Sequence, residues 1–217
     1  YCAGEAKQSD MLDDYASMTK AALGLYQATG QTAYLDRAEQ WAESVDTHFW
    51  DQSSAGYYLS ADDASDLIAR TRTAFDNATP SGNGLMAENL ARLFYLTGNQ
   101  TYRDKVMQIV AGFTAQTPGQ EANMSSLVAG FETLATGLQA VIIADTGEGE
   151  DLVETANATA NPNLILTHLT PDAELSAGHP ATGKSLIDGR PTAYVCHGQT
   201  CGLPHTDPAG LKKELSS

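Results

Sequence analysis

Leu25-Tyr26-Gln27-Ala28-Thr29-Gly30-Gln31-Thr32-Ala33-Tyr34-Leu35-Asp36 aligns with Leu93-Phe94-Tyr95-Leu96-Thr97-Gly98-Asn99-Gln100-Thr101-Tyr102-Arg103-Asp104 at one constant offset. The Thr-Gly pair, the tyrosine and the aspartate coincide in both copies. Before each Thr-Gly lies a segment apolar nearly all round. The first is residues 10–28 (Met11, Leu12, Tyr15, Ala16, Met18, Leu23, Leu25); the second is residues 84–96 (Leu85, Met86, Leu90, Leu93, Phe94). After each lies a one-sided helix. Residues 32–49 place Leu35, Ala38, Trp41, Ala42 and Val45 on one stripe, and residues 101–116 place Tyr102, Val106, Ile109 and Phe113 likewise. A helix apolar all round is buried on every side, and a one-sided helix faces solvent. Buried helix, Thr-Gly stop, exposed helix, repeated, is the pattern of a ring of α-hairpins. A fifth helix over about 122–136 ends at Thr136-Gly137 in the same way. Five helices cannot close a ring of six hairpins. The expectation is an open arc whose cut edge exposes apolar surface.

The joint between the hairpins is Phe75-Asp76-Asn77-Ala78-Thr79-Pro80-Ser81-Gly82-Asn83-Gly84. Ser81 or Asn83 reads as a helix N-cap, and the glycines would let backbone approach a ligand closely. Before it, Tyr57-Tyr58-Leu59 and Leu67-Ile68-Ala69-Arg70-Thr71 read as short strands. Beyond Gly137 the period changes. Ala140–Ala144, Leu164–Thr167 and Thr192–Cys196 read as strands, with helices over 148–156 and 208–215. The fold class predicted is therefore mainly α: an incomplete (α/α)6 toroid over 1–137, then a small α/β subdomain over 138–217 with a parallel strand pair.

The chain has 217 residues, 42% of them hydrophobic, enough for a sizeable core. Twelve Lys and Arg stand against 27 Asp and Glu, a net charge of −15 that opposes nucleic acid and anionic membrane as partners. No apolar run approaches the roughly 20 residues of a membrane span. Three cysteines are too few for a disulfide scaffold and point to a reducing, cytoplasmic setting. The chain opens on Tyr1-Cys2 rather than Met, which predicts a piece of a longer protein.

Several motifs carry chemistry. Gly178-His179-Pro180-Ala181-Thr182-Gly183-Lys184-Ser185 fits the phosphate-loop pattern by letter, but no strand precedes it and Pro191 cuts off a following helix, so it reads as a chance match. Cys196 and Cys201, with His197 and His205 close by, leave unlinked thiols, a disulfide or redox pair, and a metal site all open. No metal and no cofactor is assigned. Asp13, Asp14, Asp76, Glu88 and Glu132 are the carboxylates that could enter a ring's cavity. The first three lie at inner-helix N-termini, hence at one mouth. Glycoside chemistry needs two carboxyl groups with environments that separate their pKa values. For any one of them, helix capping is the plainer role.

Three segments carry a likeness to a known family: Leu12-Asp13-Asp14-Tyr15-Ala16; Asp76 with Thr79-Pro80-Ser81-Gly82-Asn83; and Thr192-Ala193-Tyr194-Val195-Cys196 with Cys201 and Thr206-Asp207-Pro208. In these the chain resembles the C-terminal part of the thioredoxin-domain-containing proteins related to the spermatogenesis-associated thioredoxin-like family. The resemblance implies a six-hairpin glycosidase-like toroid, with the thioredoxin-like domain and the early hairpins absent here. It implies a link to carbohydrate, as a glycosidase- or sugar-epimerase-like enzyme or a carbohydrate-binding region. The alternative is a non-catalytic scaffold presenting partners to the absent domain, docking them on Tyr15, Trp50, Tyr57 and Tyr58. Asp13, Asp14 and Asp76 are then acid/base candidates, and Tyr15, Asn77, Ser81 and Asn83 are substrate-binding candidates. A carbohydrate or small polar ligand is the expected partner, and the rest of the parent protein or a second copy would cover the open edge.

Overall fold

The computed structural model describes residues 10–64, 69–175, 178–198 and 200–216. The first helix, α1 (Leu12–Thr29), starts at an extended Met11 whose N–H donates to the Asp14 carboxylate at 2.9 Å. It ends at Gly30, φ 68°. The second inner helix, α3 (Gly82–Thr97), starts at Ser81, whose hydroxyl accepts the Gly84 N–H, and ends at Gly98, φ 73°. Both Thr-Gly stops are thus left-handed caps, which glycine adopts without strain. The outer helices α2 (Thr32–His48) and α4 (Gln100–Gln116) return antiparallel, α4 capped by Asn99 on the Thr101 N–H. After a 3₁₀ turn at Glu121–Asn123 comes α5 (Ser125–Thr136).

Helix α3 lies between α1 and α5, with α2 behind α1 and α4 behind α3. This is the arc of an incomplete α/α toroid, in which α1, α3 and α5 form the inner layer. Small residues set the closest approach. A Cβ on Gly130 of α5 would meet the Glu88 backbone nitrogen at 2.7 Å, and one on Gly84 of α3 would overlap the Ser126 side chain. The glycines of the joint therefore admit neighbouring helices: Gly82 lies against Leu12 and Asp13, and Gly84 against Ser126.

Only α3 is buried nearly all round. On α1, Met11, Met18 and Leu25 recur every seven residues and are exposed, Met18 to 52%. On α5, Val128 and Phe131 are exposed likewise. These two helices end the arc of the described residues, and one flank of each is exposed there.

The sheet follows. Its strands β1 (Leu138–Ile143), β2 (Leu164–Leu169), β3 (Thr192–His197) and β4 (Thr200–Cys201) lie in the order β2-β1-β3-β4. β1 and β2 are parallel, joined by the crossover helix α6 (Glu150–Asn157); β3 runs antiparallel to β1 and to β4. The closing helix α7 (Pro208–Leu215), capped by Asp207, packs on α6. Alternation sorts the faces. Leu138, Ala140 and Ile142 pack with Leu152, Leu211 and Leu215, while Val141 and Ile143 pack with Tyr194 and Cys196. β2 touches α1 and α3, and its Ile165 joins the helical core.

The strands expected at Tyr57–Leu59 and Leu67–Thr71 do not form among the described residues; Leu67 and Ile68 lie outside them. Single bridges Trp50–Tyr57 and Met11–Ser60 stand there instead. The reason is Asn83. Its side chain accepts the Tyr57 N–H at 2.7 Å and donates to the carbonyls of Tyr57 and Thr73, each at 2.8 Å. A side chain thus takes the bonds that a strand partner would make. Of the aromatic residues expected to dock a partner, Tyr57 is not available, while Tyr15, Trp50 and Tyr58 are half-buried. Tyr57 is fully buried with its hydroxyl on Asp46, Trp50 lies edge-on to Tyr57 beneath the Lys105 ammonium, and Tyr15 packs edge-on against Phe49. The phosphate-loop-like stretch 178–185 forms turns, with no helix after it.

Candidate functional site at the inner-helix mouth

The first turns of α1 and α3 and the joint between the hairpins make one end of the inner layer. Asp13 is exposed and its carboxylate lies against Gly82, the first residue of α3. Partial desolvation there pushes its pKa up; the Gly82 amide opposes this and the neighbouring Asp14 charge adds to it. Among the described residues Asp13 is the one carboxylate pushed in that direction.

Asp76 goes the other way. Burial alone would raise its pKa, but hydrogen bonds from Ser126 and Ser81 overcome this and hold it below the usual range. One oxygen accepts the Ser81 N–H at 2.9 Å and the Ser126 hydroxyl at 2.5 Å; the other accepts the Ser126 N–H at 2.8 Å. Ser126 is in the first turn of α5, whose own cap position, Met124, supplies no side-chain bond. Asp76 therefore caps α5 and ties it to the start of α3. Most of its lone pairs are committed, which leaves it ionised and fixed.

The remaining candidates divide. Asp14 is spent on the Met11 amide. Asn77 is exposed at the mouth, its backbone N–H on the Thr79 carbonyl. Ser81 donates to the Ala74 carbonyl while accepting from Gly84, and is 7% exposed. Tyr15 is half-buried on the Phe49 ring. Asn83 is fully buried and committed to the Tyr57 and Thr73 backbone, so it does not face the mouth. The geometry brings Asp13, Asp76, Asn77 and Ser81 to one end and takes Asn83 inside.

Two cations were missed from sequence. Glu88 on α3 accepts from Lys20 of α1 at 2.7 Å and from Arg92 at 3.1 Å. Burial raises the Glu88 pKa, and these partners more than reverse the effect. The Glu88–Arg92 pair has the i, i+4 spacing of a helix pair and was readable. Lys20 reaches across from another helix and left no signal. Glu132 is exposed on α5.

Cys196 and Cys201 face each other across β3 and β4 and are joined by a disulfide. Among the described residues no His, Cys, Asp and Glu cluster has metal-binding geometry, and no helix is long and apolar enough to cross a membrane.

No protein-family model matches the chain. It is 32% identical over 212 residues to human "Spermatogenesis-associated protein 20" and 30% identical over 211 residues to the rat protein. Each match covers 94% of this chain and 27% of the relative. An uncharacterized Caenorhabditis elegans protein is 27% identical over 196 residues. The chain thus spans about a quarter of the length of the curated relatives it matches. Among solved structures, a family 76 glycoside hydrolase from a bovine Bacteroides thetaiotaomicron strain superimposes with a TM-score of 0.47 at 20% identity, over 61% of this chain and 32% of that one. Over nearly its whole length the chain is thus similar to one quarter-length stretch of the proteins called spermatogenesis-associated protein 20.

Proposed function

We propose that the mouth at the N-terminal ends of α1 and α3 is a carbohydrate site, with Asp13 as its proton donor and Asp76 as a fixed ionised carboxylate. The observation that carries this reading is the separation of the two environments: Asp13 is pushed up by desolvation, and Asp76 is held down by Ser81 and Ser126. Two carboxyl groups at one site with pKa values driven apart is the pattern that assigns an acid and its anionic counterpart. Asn77 and the rim of the joint supply hydrogen bonds to hydroxyl groups. The reaction class is glycosidic bond cleavage or sugar epimerisation. The test is turnover of a panel of p-nitrophenyl glycosides, with NMR titration of the corresponding methyl glycosides. Turnover should fall as pH rises through the elevated Asp13 value, and Asp13→Asn should abolish it while leaving Asn77 and Ser81 amide shifts intact. If no glycoside perturbs those amides, the reading is wrong.

A second reading, a scaffold docking other protein, is favoured by one observation: the exposed stripe Met11, Met18, Leu25 on the end flank of α1. A second copy of the chain is its simplest occupant. Sedimentation velocity should then show self-association that disappears on replacing Met18 and Leu25 with Lys. A wild type that stays monomeric rejects docking of a second copy.

A further inference from the structure

A cleft of about 400 Å³ opens where the first turn of α4, the last turn of α5 and the end of β3 meet. Its floor is Phe94 and Tyr95, their rings 5.1 Å apart, with Leu134 beside them. Gly137 lets the chain leave α5 close against this floor, since a Cβ there would meet the Tyr95 ring at 2.5 Å. One wall is Gln100 and Arg103; the other is His197 and Gly198. His197 is held by its pairing with Thr200 and by the neighbouring Cys196–Cys201 bridge.

The lining of this cleft carries the opposite charge from the rest of the chain. Acids outnumber Lys and Arg 27 to 12. Yet the lining includes Arg103 and His197, both exposed, and among the described residues no Asp or Glu. Arg103 Nη1 lies 3.9 Å from the Asp104 carboxylate, but both side chains are more than half exposed and adjacent helix positions point apart, so this contact does not hold the guanidinium. Its charge reaches the floor: burial raises the Tyr95 pKa, and the Gly137 amide and then Arg103 pull against it. Other polar groups nearby are committed. The Tyr95 hydroxyl donates to the Leu134 carbonyl at 2.9 Å, and the Thr136 hydroxyl donates to the Glu132 carbonyl and accepts from Asn163. The start of α4 and the end of α5 bring opposite dipole ends here, so the side chains set the sign. They are a planar guanidinium, the Gln100 amide, and an imidazole that keeps an N–H donor in either protonation state. An arginine fork matches a carboxylate with two parallel hydrogen bonds.

We propose that this cleft binds a small organic acid, its carboxylate on Arg103 and His197 and its apolar part over Phe94 and Leu134. Phe94 and Tyr95 lie in the last turn of α3, a helix about 24 Å long at 1.5 Å per residue. The cleft is therefore remote from the Asp13 mouth at the start of that helix and does not depend on what the mouth does. The probes are benzoate, benzamide, which has the same shape without the charge, and inorganic phosphate, which has charge without an apolar part. Each is titrated into the whole chain while the Arg103 Nε–H and the Gly137 and Gly198 amides are observed by ¹⁵N–¹H correlation NMR. Benzoate should shift all three signals and bind roughly 10-fold tighter than benzamide, the margin of a charge-assisted over a neutral hydrogen bond. It should also bind more tightly than phosphate, and its lead over benzamide should shrink between about 0.02 M and about 0.5 M salt. Arg103→Gln combined with His197→Gln should remove that lead; should this variant not fold, the wild-type shifts and their salt dependence decide. Equal binding of benzoate and benzamide, binding of neither, a lead that survives in the double variant, or phosphate bound as tightly as benzoate overturns the proposal.

Discussion

Replacing Asp76 with Ala removes the acceptor for the Ser81 N–H, the Ser126 N–H and the Ser126 hydroxyl together. Each bond is made to an ionised group, worth about 1.5–3 kcal/mol when buried. The site is half-buried, so water repairs part of each loss. Helix-cap deletions bracket the result at about 0.5–2 kcal/mol per cap, and Asp76 serves the starts of both α3 and α5. The expected loss is about 3 kcal/mol, or a fall in Tm of roughly 6–12 °C for a chain of this size. Urea unfolding followed by circular dichroism measures it. The pH dependence gives a second check. Because the folded-state pKa is depressed, the Asp76 contribution is fully present above the unfolded value of about 3.9 and is lost as pH falls through the lower folded value. The gap between wild type and Asp76→Ala should therefore close across that window. A loss below about 1 kcal/mol at neutral pH, or a gap that does not narrow at all as pH falls below the unfolded value, would refute the account of Asp76 as the tie between α3 and α5.

Three further outcomes follow from the packing. Gly84→Ala and Gly130→Ala should each cost about 1–3 kcal/mol, because the added methyl meets Ser126 or the Glu88 backbone, whereas Gly24→Ala, with nothing within 4 Å, should stabilise by about 0.5–1 kcal/mol; chemical denaturation of the three variants checks the order. Asn83→Ala should destabilise by about 3–5 kcal/mol, since it strips partners from the buried Tyr57 and Thr73 backbone, and amide exchange at Tyr57 should accelerate; an unchanged rate there would count against Asn83 as the substitute for a strand. Reduction of Cys196–Cys201, or Cys196→Ser, opens a loop of sequence separation 5 and should lower stability by about 2 kcal/mol, read as a Tm difference with and without dithiothreitol.

The hairpins were legible because their signals are local. A Thr-Gly stop and a 3.6-residue apolar stripe are written within one turn of the helix they describe, and Gly30 and Gly98 take the left-handed caps the repeat implied. Likewise Asp207 and Ser81 cap the helices that follow them. What was hidden is what one segment does for another. Asn83 reads as a cap from its neighbours but serves Tyr57, and Asp76 reads as an acid but caps a helix 50 residues on. Gly84 reads as room for a ligand and is room for Ser126. In each case a short polar or small residue near a helix start was read by its own surroundings, while its partner came from a distant part of the chain. The same limit bears on the mouth. Of the three aspartates placed there, one caps its own helix, one caps a remote helix, and Asp13 alone keeps a carboxyl group without a structural task beyond the Gly82 amide. A proton donor is therefore best sought where structural demand on the side chain is least, which in the proposed carbohydrate site is Asp13, with Asp76 as the carboxylate that its capping bonds hold ionised.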